Sequence, residues 1–267
     1  MSLPQELSER AAVITGASMG IGEAIARLFV DRGASVVLLS RDLARAEAAR
    51  ERIGHKERTL ALGCDVRRPE EMEQVVNFTV RQFKRIDIWI NNAGHGILDS
   101  VANVDMAAAR EVFETNFFGT VEGMQAVIPV MKQQGSGTII NVSSVAGHVP
   151  LPFMGIYSAT KFAMNAAGKA ARIELKRFGI NVLTVCPGFV RTDFGANAIH
   201  GAEVQRVRPQ AVRGISAERV AQAVLRGYLR GKREVIVPWT MIPVIKLYQL
   251  FPGVVEASMA RMSKPSS

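Results

Sequence analysis

The sequence predicts a doubly wound α/β fold, in which one seven-stranded, mostly parallel sheet is covered by helices on both faces. The first observation behind this prediction is that short apolar, β-rich runs alternate with amphipathic helical stretches along the chain. The second is that these runs are apolar throughout, as in strands buried on both faces. No linker rich in Pro, Gly or Ser interrupts the alternation, so we expect residues 1–267 to form a single domain.

Seven apolar runs predict the strands, in chain order Ala11–Thr15, Ser35–Leu39, Leu60–Cys64, Ile86–Ile90, Gly137–Val142, Asn181–Cys186 and Glu234–Val237. Six stretches with helical periodicity predict the helices Gly22–Asp31, Leu43–Arg52, Pro69–Phe83, Asp105–Met131, Tyr157–Phe178 and Ala217–Arg230. Gly33 lies just past the first helix, where a glycine commonly ends one. Asp42 directly precedes the second helix and is expected to cap its N-terminus.

Composition and charge exclude several classes of protein. Hydrophobic residues make up 48% of the chain and charged residues 21%, which is ordinary for a folded globular protein. The formal charge is +9, but the basic residues are scattered, so no nucleic-acid partner is expected. Without a long apolar run or a signal-like start, the protein is expected in the cytoplasm. Cys64 and Cys186 form neither a disulfide framework nor a zinc-ligand cluster, so we expect reduced thiols and no metal.

A glycine-rich turn connects the first strand to the first helix. Residues Thr15–Gly22 read Thr-Gly-Ala-Ser-Met-Gly-Ile-Gly. Glycines let the backbone approach a pyrophosphate, whose charge is stabilised by the helix N-terminus. The spacing differs from the general Gly-x-Gly-x-x-Gly dinucleotide pattern, and tight packing of the turn is the simpler alternative. We favour a dinucleotide site with contacts from Gly16, Ser18, Met19, Gly20, Ile21 and Gly22.

The end of the second strand bears on the choice of cofactor. NAD-binding folds place an acidic residue there for the ribose hydroxyl, whereas an arginine serves the 2′-phosphate of NADP. Here Ser40 takes that position and Arg41 follows it. Because a guanidinium binds phosphate with two parallel hydrogen bonds, NADP(H) is favoured and NAD is the less favoured cofactor. Two alternatives stay open, since Arg41 could be a solvated loop residue and Asp42 could bind the ribose.

Tyr157 and Lys161 are four residues apart in a predicted helix, so their side chains lie on one face. An ammonium group near a phenol favours the phenolate and lowers the pKa of the tyrosine toward the range of a general acid or base. A Tyr-x-x-x-Lys pair also occurs often by chance, and in isolation it is more often structural.

These motifs, together with several that follow the later strands, resemble the short-chain dehydrogenase/reductase family over about residues 11–237. The resemblance implies a Rossmann-type fold and a glycine turn of the spacing seen here. It adds cofactor contacts from Asp65 and Val66 at the adenine, Asn92, Ala93 and Gly94 at the ribose, and Pro187, Gly188, Val190 and Thr192 at the nicotinamide carboxamide. Met19 stands where many NADP-dependent members carry a basic residue, so the preference for NADP(H) depends on Arg41.

The resemblance also implies the reaction and a catalytic set, which consists of Asn116, Ser144, Tyr157 and Lys161. Ser144 is selected over Ser143 because it lies 13 residues before Tyr157, the usual spacing in the family. A ketone or aldehyde and an alcohol would be interconverted by hydride transfer, with Tyr157 as general acid or base and Ser144 stabilising the substrate oxygen. Lys161 would bind the nicotinamide ribose and lower the pKa of Tyr157. Asn116 would hold a water that links Lys161 to solvent.

Family resemblance further implies a homodimer or homotetramer joined through the two long helices Asp105–Met131 and Tyr157–Phe178. The alternative function is a non-catalytic, cofactor-sensing regulatory protein on the same fold. Such a sensor has no need to keep the four catalytic residues together, so we favour the enzyme.

Two segments in the last third of the chain bear on the substrate. Thr192–Gly214 is expected to form a lid, in which His200 is more simply a solvated residue than a substrate contact. Residues 238–267 form a hydrophobic C-terminal extension, which Pro243 and Pro252 are expected to break. We favour packing of this extension against a second subunit or the substrate pocket over a peripheral membrane contact. Either arrangement suits a lipophilic carbonyl or alcohol substrate.

Overall fold

The computed structural model describes residues 6–201 and 214–262 of the chain. Its main sheet contains the parallel strands β1 (Ala11–Thr15), β2 (Ser35–Ser40), β3 (Thr59–Gly63), β4 (Ile88–Asn91), β6 (Gly137–Val142), β7 (Ile180–Pro187) and β9 (Glu234–Val237). Two short strands, β5 (Ile97–Leu98) and β8 (Ile199–His200), form a separate parallel pair. The seven-stranded parallel sheet confirms the predicted fold class.

The strand order is β3-β2-β1-β4-β6-β7-β9, so the chain winds outward in both directions from the neighbours β1 and β4. In such sheets ligands bind outside the carboxyl ends of the strands, at the point where the winding direction changes. The register places Val13 of β1 between Val37 of β2 and Trp89 of β4. The topology therefore predicts a binding crevice where β1 and β4 end.

Helices cover both faces of the sheet. One layer consists of α1 (Gly20–Asp31), α2 (Leu43–Ile53) and α7 (Ala217–Leu229), and the other of α3 (Pro69–Phe83), α5 (Gly119–Gln134) and α6 (Gly155–Leu175). Successive residues of β1 point to opposite layers, because side chains alternate along a strand. Ile14 packs with Phe29 of α1, whereas Val13 packs with Met72 of α3 and Val127 of α5.

The predicted long helix Asp105–Met131 is wrong as a single regular helix. The chain forms α4 (Met106–Phe113), a π-helical turn at Glu114–Phe118, and then α5. Asp105 lies outside α4 and caps it by accepting hydrogen bonds from the amides of Ala107 and Ala108. A π-helical turn leaves the regular hydrogen-bond ladder, and here it carries Asn116 into the site.

The C-terminal extension is helical but interrupted at Phe251, so Pro252 breaks it as expected, whereas Pro243 does not. Helix α8 spans Met241–Leu250 and α9 spans Pro252–Met262. Pro243 is accommodated in the first turn of α8 and Pro252 begins α9, which are positions where a missing amide hydrogen costs little. Among the described residues, no helix combines the length and apolar character needed to span a bilayer.

The remaining element boundaries agree with the sequence prediction to within two residues, except that α6 ends three residues early and continues as a 3₁₀ turn at Lys176–Phe178. Gly33 follows the end of α1 with a φ of +96°. The carboxylate of Asp42 accepts hydrogen bonds from the amides of Ala44 and Arg45 at 2.9 and 3.4 Å, so the predicted cap of α2 is confirmed.

Candidate active site

The glycine-rich turn lies against the segment that follows β4. Thr15 Oγ1 accepts hydrogen bonds from the amides of Asn92 and Ala93, both at 2.9 Å. In return, Asn92 Nδ2 donates to the carbonyls of Thr15 and Gly16, both at 3.0 Å. A Cβ atom on Gly16 would lie 2.8 Å from Ala93 Cα, and one on Gly22 would lie 2.6 Å from Asn92 Nδ2. The close packing leaves room for glycine alone at both positions.

The same turn places the N-terminus of α1 at the predicted crevice, where β1 and β4 end. Gly20 begins the helix with a φ of +59°, and no side chain of the described residues caps it at Met19. In contrast, Asp42, Asp105 and Ser216 cap α2, α4 and α7. Free amides and the helix dipole together form an anion site. The turn therefore fits the pyrophosphate of a dinucleotide, and Ser18, Met19 and Ile21, which are also predicted as contacts, lie in or directly after it.

The residues predicted at the adenosine end lie where β2 and β3 end. Ser40 is buried and its hydroxyl accepts a hydrogen bond from the amide of Asp42 at 3.3 Å. The side chain of Arg41 is exposed, and its charge helps to lower the pKa of Asp65. Asp42 uses its carboxylate to cap α2. The carboxylate of Asp42, which could have bound a ribose, is therefore already hydrogen-bonded within the protein. The guanidinium of Arg41 remains exposed and could meet a 2′-phosphate.

Two residues of this region were missed by sequence reasoning. The guanidinium of Arg67 pairs with Asp65, with Nε 2.9 Å from Oδ1 and Nη2 2.5 Å from Oδ2, and this pairing is the main cause of the lowered pKa of Asp65. His95 Nε2 is buried and finds no hydrogen-bond partner among the described residues. Burial also lowers the pKa of His95, so its imidazole is mainly neutral at neutral pH. Only the position of His95 directly after the Asn91–Gly94 motif could have drawn attention to it.

Tyr157 and Lys161 lie in the first two turns of α6, and both side chains are buried. Lys161 Nζ is 5.8 Å from the centroid of the Tyr157 ring and donates a hydrogen bond to the carbonyl of Val142 at 3.1 Å. Gly94 lies beside them, and it allows the segment after β4 to pack closely on Asn116, because a Cβ atom there would lie 2.9 Å from Asn116 Oδ1. The spacing of four residues thus brings the phenol and the ammonium together, next to the predicted ribose site.

The two serines at the end of β6 point in different directions. The hydroxyl of Ser144 accepts a hydrogen bond from the amide of Ala146 at 3.0 Å, donates to the carbonyl of Pro187 at 3.5 Å, and lies near enough to Tyr157 to act on the pKa of the phenol. Ser143 instead directs its hydroxyl to the carbonyl of Lys161, at 3.4 Å. The geometry therefore places Ser144 beside the phenol, as the family spacing predicts.

Asn116 is fully buried in the π-helical turn and its side chain is held from two sides. Its Nδ2 donates to the carbonyl of His95 at 2.9 Å and to Thr160 Oγ1 at 3.2 Å, and its Oδ1 accepts from the amide of His95 at 2.9 Å. The side chain therefore joins the segment after β4 to α6. The main-chain carbonyl of Asn116 accepts a further hydrogen bond, from Thr120 Oγ1 at 2.9 Å.

The electrostatics of the ligand-free site differ from the sequence-based expectation. Burial raises the pKa of Tyr157 to about 12, and the hydrogen bond with Ser144 opposes this shift. Burial also lowers the pKa of Lys161 to about 8. The expected lowering of the Tyr157 pKa by Lys161 is thus not seen here, because removal from water disfavours both charged forms and the ammonium lies 5.8 Å from the ring centroid.

The segment after β7 closes over the site. A Cβ atom on Gly20 would lie 3.4 Å from Thr192 Cγ2, so Thr192 adjoins the glycine turn, and Val190 pairs with Ile215. Pro187 ends β7, and a Cβ atom on Gly188 would contact Pro238 at 3.4 Å. The predicted carboxamide loop therefore spans the distance between the glycine turn and the start of the C-terminal extension.

An apolar lining surrounds the phenol. The rings of Phe194 and Tyr157 meet edge to face, with centroids 5.5 Å apart. The other apolar residues of this cluster include Leu151, Met154, Ile156 and Ile199. His200, in contrast, bonds to the carbonyl of Gly195 at 2.8 Å on the exposed side of the loop. Three arginines of the predicted lid lie outside the described residues, namely Arg206, Arg208 and Arg213.

Comparison with known proteins agrees with this geometry. The profile of the short chain dehydrogenase family matches residues 10–202. Dehydrogenase/reductase SDR family member 7B of Danio rerio is 30% identical over 268 residues, covering 96% of this chain and 87% of that protein. A short-chain dehydrogenase from Streptomyces avermitilis superimposes with a TM-score of 0.80 at 25% identity, covering 96% of this chain and 100% of its own.

A further solved structure carries a nicotinamide cofactor. It is the 3-ketoacyl-(acyl-carrier-protein) reductase of Brucella melitensis complexed with NADH, with a TM-score of 0.78 and 27% identity, covering 87% of this chain and 98% of its own. The family profile spans most of the chain and contains the glycine turn, the segment after β4 and the Tyr157–Lys161 pair. The protein therefore belongs to the short-chain dehydrogenase/reductase family of oxidoreductases.

Proposed function

We propose that the protein is an NADP(H)-dependent oxidoreductase that interconverts a ketone or aldehyde and an alcohol. The observation that carries this proposal is the convergence of the Tyr157 phenol, the Ser144 hydroxyl and the Lys161 ammonium beside the glycine turn. When bound, the nicotinamide supplies or accepts the hydride. The protein residues then handle the proton and the developing charge on the substrate oxygen.

Tyr157 acts as the general acid in the direction of reduction. With a pKa raised to about 12, its hydroxyl is protonated at neutral pH and can deliver that proton to a carbonyl oxygen. The Ser144 hydroxyl donates a hydrogen bond to the same oxygen and stabilises the charge that grows on it. Lys161 holds the nicotinamide ribose, and Asn116 keeps the surrounding segments in place. In the direction of oxidation, Tyr157 takes the alcohol proton as the general base.

The preference for NADP(H) follows from Ser40 and Arg41. A 2′-phosphate at the end of β2 would meet the exposed guanidinium of Arg41 and would find no free carboxylate at Asp42. Arg67 adds a second guanidinium nearby, although it is paired with Asp65. NADH, which is bound to the Brucella melitensis reductase, is the less favoured cofactor here.

The substrate is lipophilic and the reaction is cytoplasmic in this proposal. Phe194 and the apolar residues around Tyr157 offer little hydrogen bonding to a polar substrate. Cys64 and Cys186 are both free thiols, as expected in a reducing compartment. We further expect the homodimer or homotetramer that family resemblance implies.

Substitution of Tyr157 by Phe tests the proposed reaction. The variant loses the proton donor but keeps the ring that packs on Phe194, so turnover falls at least about 100-fold while NADPH binding is retained. Turnover is measured by NADPH loss with ketones, steroids, fatty acyl ketones and sugars, and binding by fluorescence titration. Retained turnover in Tyr157→Phe would refute the assigned role. A wild-type protein that binds NADPH but reduces no member of the panel would instead support the cofactor-sensing alternative.

A further inference from the structure

A cluster of three side chains with different donor atoms lies outside the proposed reaction. His148 comes from the turn after β6, Cys186 from the end of β7, and Glu234 from the start of β9. His148 and Cys186 are buried, and Glu234 is partly buried. Their nitrogen, sulfur and oxygen atoms all lie within 4.8 Å of one another. The order of the parallel strands brings these residues together from positions distant in the chain.

The geometry of the cluster does not match a simple hydrogen-bonded relay. His148 Nε2 lies 3.4 Å from Cys186 Sγ and also 3.4 Å from Glu234 Oε1. One ring nitrogen carries either one proton or one lone pair, so it can serve only one of these neighbours well. Glu234 Oε1 is buried, and within the described residues no donor gives it a well-formed hydrogen bond. A relay would use both ring nitrogens, one for each neighbour, whereas here one nitrogen faces both.

Three donor atoms around a common centre are the arrangement of metal ligands. Zinc bonds of about 2.0 to 2.3 Å in tetrahedral geometry hold their ligand atoms about 3.3 to 3.7 Å apart. The separations of 3.4 Å from His148 Nε2 to Cys186 Sγ and to Glu234 Oε1 fall in this range, and Cys186 Sγ and the Glu234 carboxylate lie within 4.8 Å of each other. An imidazole, a thiol and a carboxylate also form a donor set that suits zinc better than magnesium or calcium.

We propose that His148, Cys186 and Glu234 bind a zinc ion, with solvent completing the coordination from the side on which Glu234 is exposed. The ion replaces the thiol proton of Cys186, which passes to solvent, and a sulfur–metal bond forms without any change of oxidation state. The thiolate and the Glu234 carboxylate together balance the charge of the ion.

Other charges near the cluster act in both directions. Burial and the nearby Glu234 carboxylate raise the pKa of Cys186 to about 12, while Lys169 and Lys161 oppose this and favour the thiolate. Interaction with His148 lowers the pKa of Glu234, and Lys169 and Arg233 act in the same direction. The carboxylate is therefore ionised and ready to bind a cation, and the bound ion would hold together the turn after β6, β7 and β9.

Cobalt provides the probe for this site, because Co²⁺ takes zinc positions and a thiolate bound to it absorbs strongly in the near ultraviolet. The purified full-length protein is freed of metal with a chelator and titrated with Co²⁺. We expect one equivalent to bind with a sulfur-to-cobalt charge-transfer band, and Zn²⁺ to displace it. The same equivalent of Zn²⁺ should raise the melting temperature.

Three variants separate this site from other sources of binding. Cys186→Ser and His148→Gln should abolish the band, with circular dichroism checking that each remains folded. Cys64→Ser is the matched control, since Cys64 is the other buried thiol and lies against Met72 Sδ; it should keep the band. The proposal is overturned if the wild-type protein shows no band, or if the band survives in Cys186→Ser or His148→Gln. The measurement needs no cofactor, so it is independent of the proposed oxidoreductase activity.

Discussion

Lys161 shows how a single residue of the site lowers the stability of the fold. Its pKa is lowered from 10.5 to about 8 because its ammonium is removed from water. The folded protein therefore binds the proton less tightly than the unfolded chain. The resulting loss of folding free energy is fully present below pH ~8 and disappears as the pH rises through ~10.5. The stability of the fold therefore rises across this window. The shift corresponds to ~3 kcal/mol.

We expect Lys161→Met to stabilise the protein by on the order of 2 kcal/mol at pH ~7, because the loss of the hydrogen bond to Val142 offsets ~1 kcal/mol of the gain. The difference from the wild type should shrink at pH ~9.5, where the folded protein already carries a neutral lysine. Urea denaturation at both pH values measures the effect. Lys169→Met, which removes an exposed lysine from the same helix, is the control. An equal gain at both pH values would show that the stabilisation does not come from the buried charge.

Arg41 is the residue on which the cofactor preference depends. Arg41→Ala should weaken NADPH binding about 10-fold or more, since a charge-assisted guanidinium–phosphate contact is worth ~1.5 to 3 kcal/mol. NADH binding should change little, because NADH lacks the 2′-phosphate. Fluorescence titration of both cofactors gives the two dissociation constants, with Arg45→Ala as an exposed arginine control on α2. An equal loss of affinity for NADPH and NADH would contradict the assignment of Arg41 to the 2′-phosphate.

At the scale of elements, the structure differs from the sequence prediction where hydrogen bonds between distant segments decide the local form. Helical periodicity continues through Asn116, but its side chain bonds to His95 and Thr160, and the chain there forms a π-helical turn. Periodicity reports which residues face the core and carries no information about such bonds. Pro252 separates α8 from α9 as predicted, whereas Pro243 occupies the first turn of α8 and leaves that helix intact, which a count of prolines cannot reveal.

Helices α8 and α9 are attached to the rest of the protein through a small apolar contact. They also expose several large apolar side chains. Ile245 and Val255 pack on Val149, which follows β6. The exposed apolar side chains of the pair and its entry segment are Trp239, Ile242, Val244, Leu247, Leu250, Phe251 and Val254. Exposed apolar side chains that are close together in the chain, when they form one surface, typically mark an interface. This pattern favours the expectation that the extension packs against a second subunit.

Combining Leu250→Glu with Phe251→Glu should therefore weaken self-association, because these side chains are 70% and 58% exposed and their replacement adds charge to the apolar surface. Sedimentation velocity measures the oligomeric state, and a flotation assay with anionic vesicles measures membrane binding. Leu43→Glu, an apolar-to-acidic change at the exposed start of α2, is the control. An unchanged oligomer whose vesicle binding is lost would instead assign the surface to a membrane.

At the scale of the whole molecule, the topology gathers the site from the carboxyl ends of neighbouring strands. The glycine turn follows β1, the Asn91–Gly94 segment follows β4, and Ser144 and Pro187 lie at the ends of β6 and β7. The glycine turn lies at the crevice between β1 and β4, which is the point where the winding direction changes. Residues spread over more than half of the chain thus meet at one edge of the sheet.

The sequence by itself determined the fold class, the strand and helix layers and the identity of the candidate catalytic residues. Continuous apolar strands require a sheet covered on both faces, and the distances between Ser144, Tyr157 and Lys161 along the chain are those of the family motif. These are local properties, since they depend on periodicity and spacing. The candidate site residues are brought together by the strands and turns that precede them.

The tertiary structure decided what depends on neighbours distant in the chain. It gave the hydroxyls of Ser143 and Ser144 different hydrogen-bond partners, left the guanidinium of Arg41 exposed, and raised the pKa of Tyr157 where the sequence predicted a decrease. It also brought His148, Cys186 and Glu234 together, although the sequence predicted no metal site. The physical reason is that burial, side-chain direction and through-space contact arise only when the sheet has placed separate segments side by side.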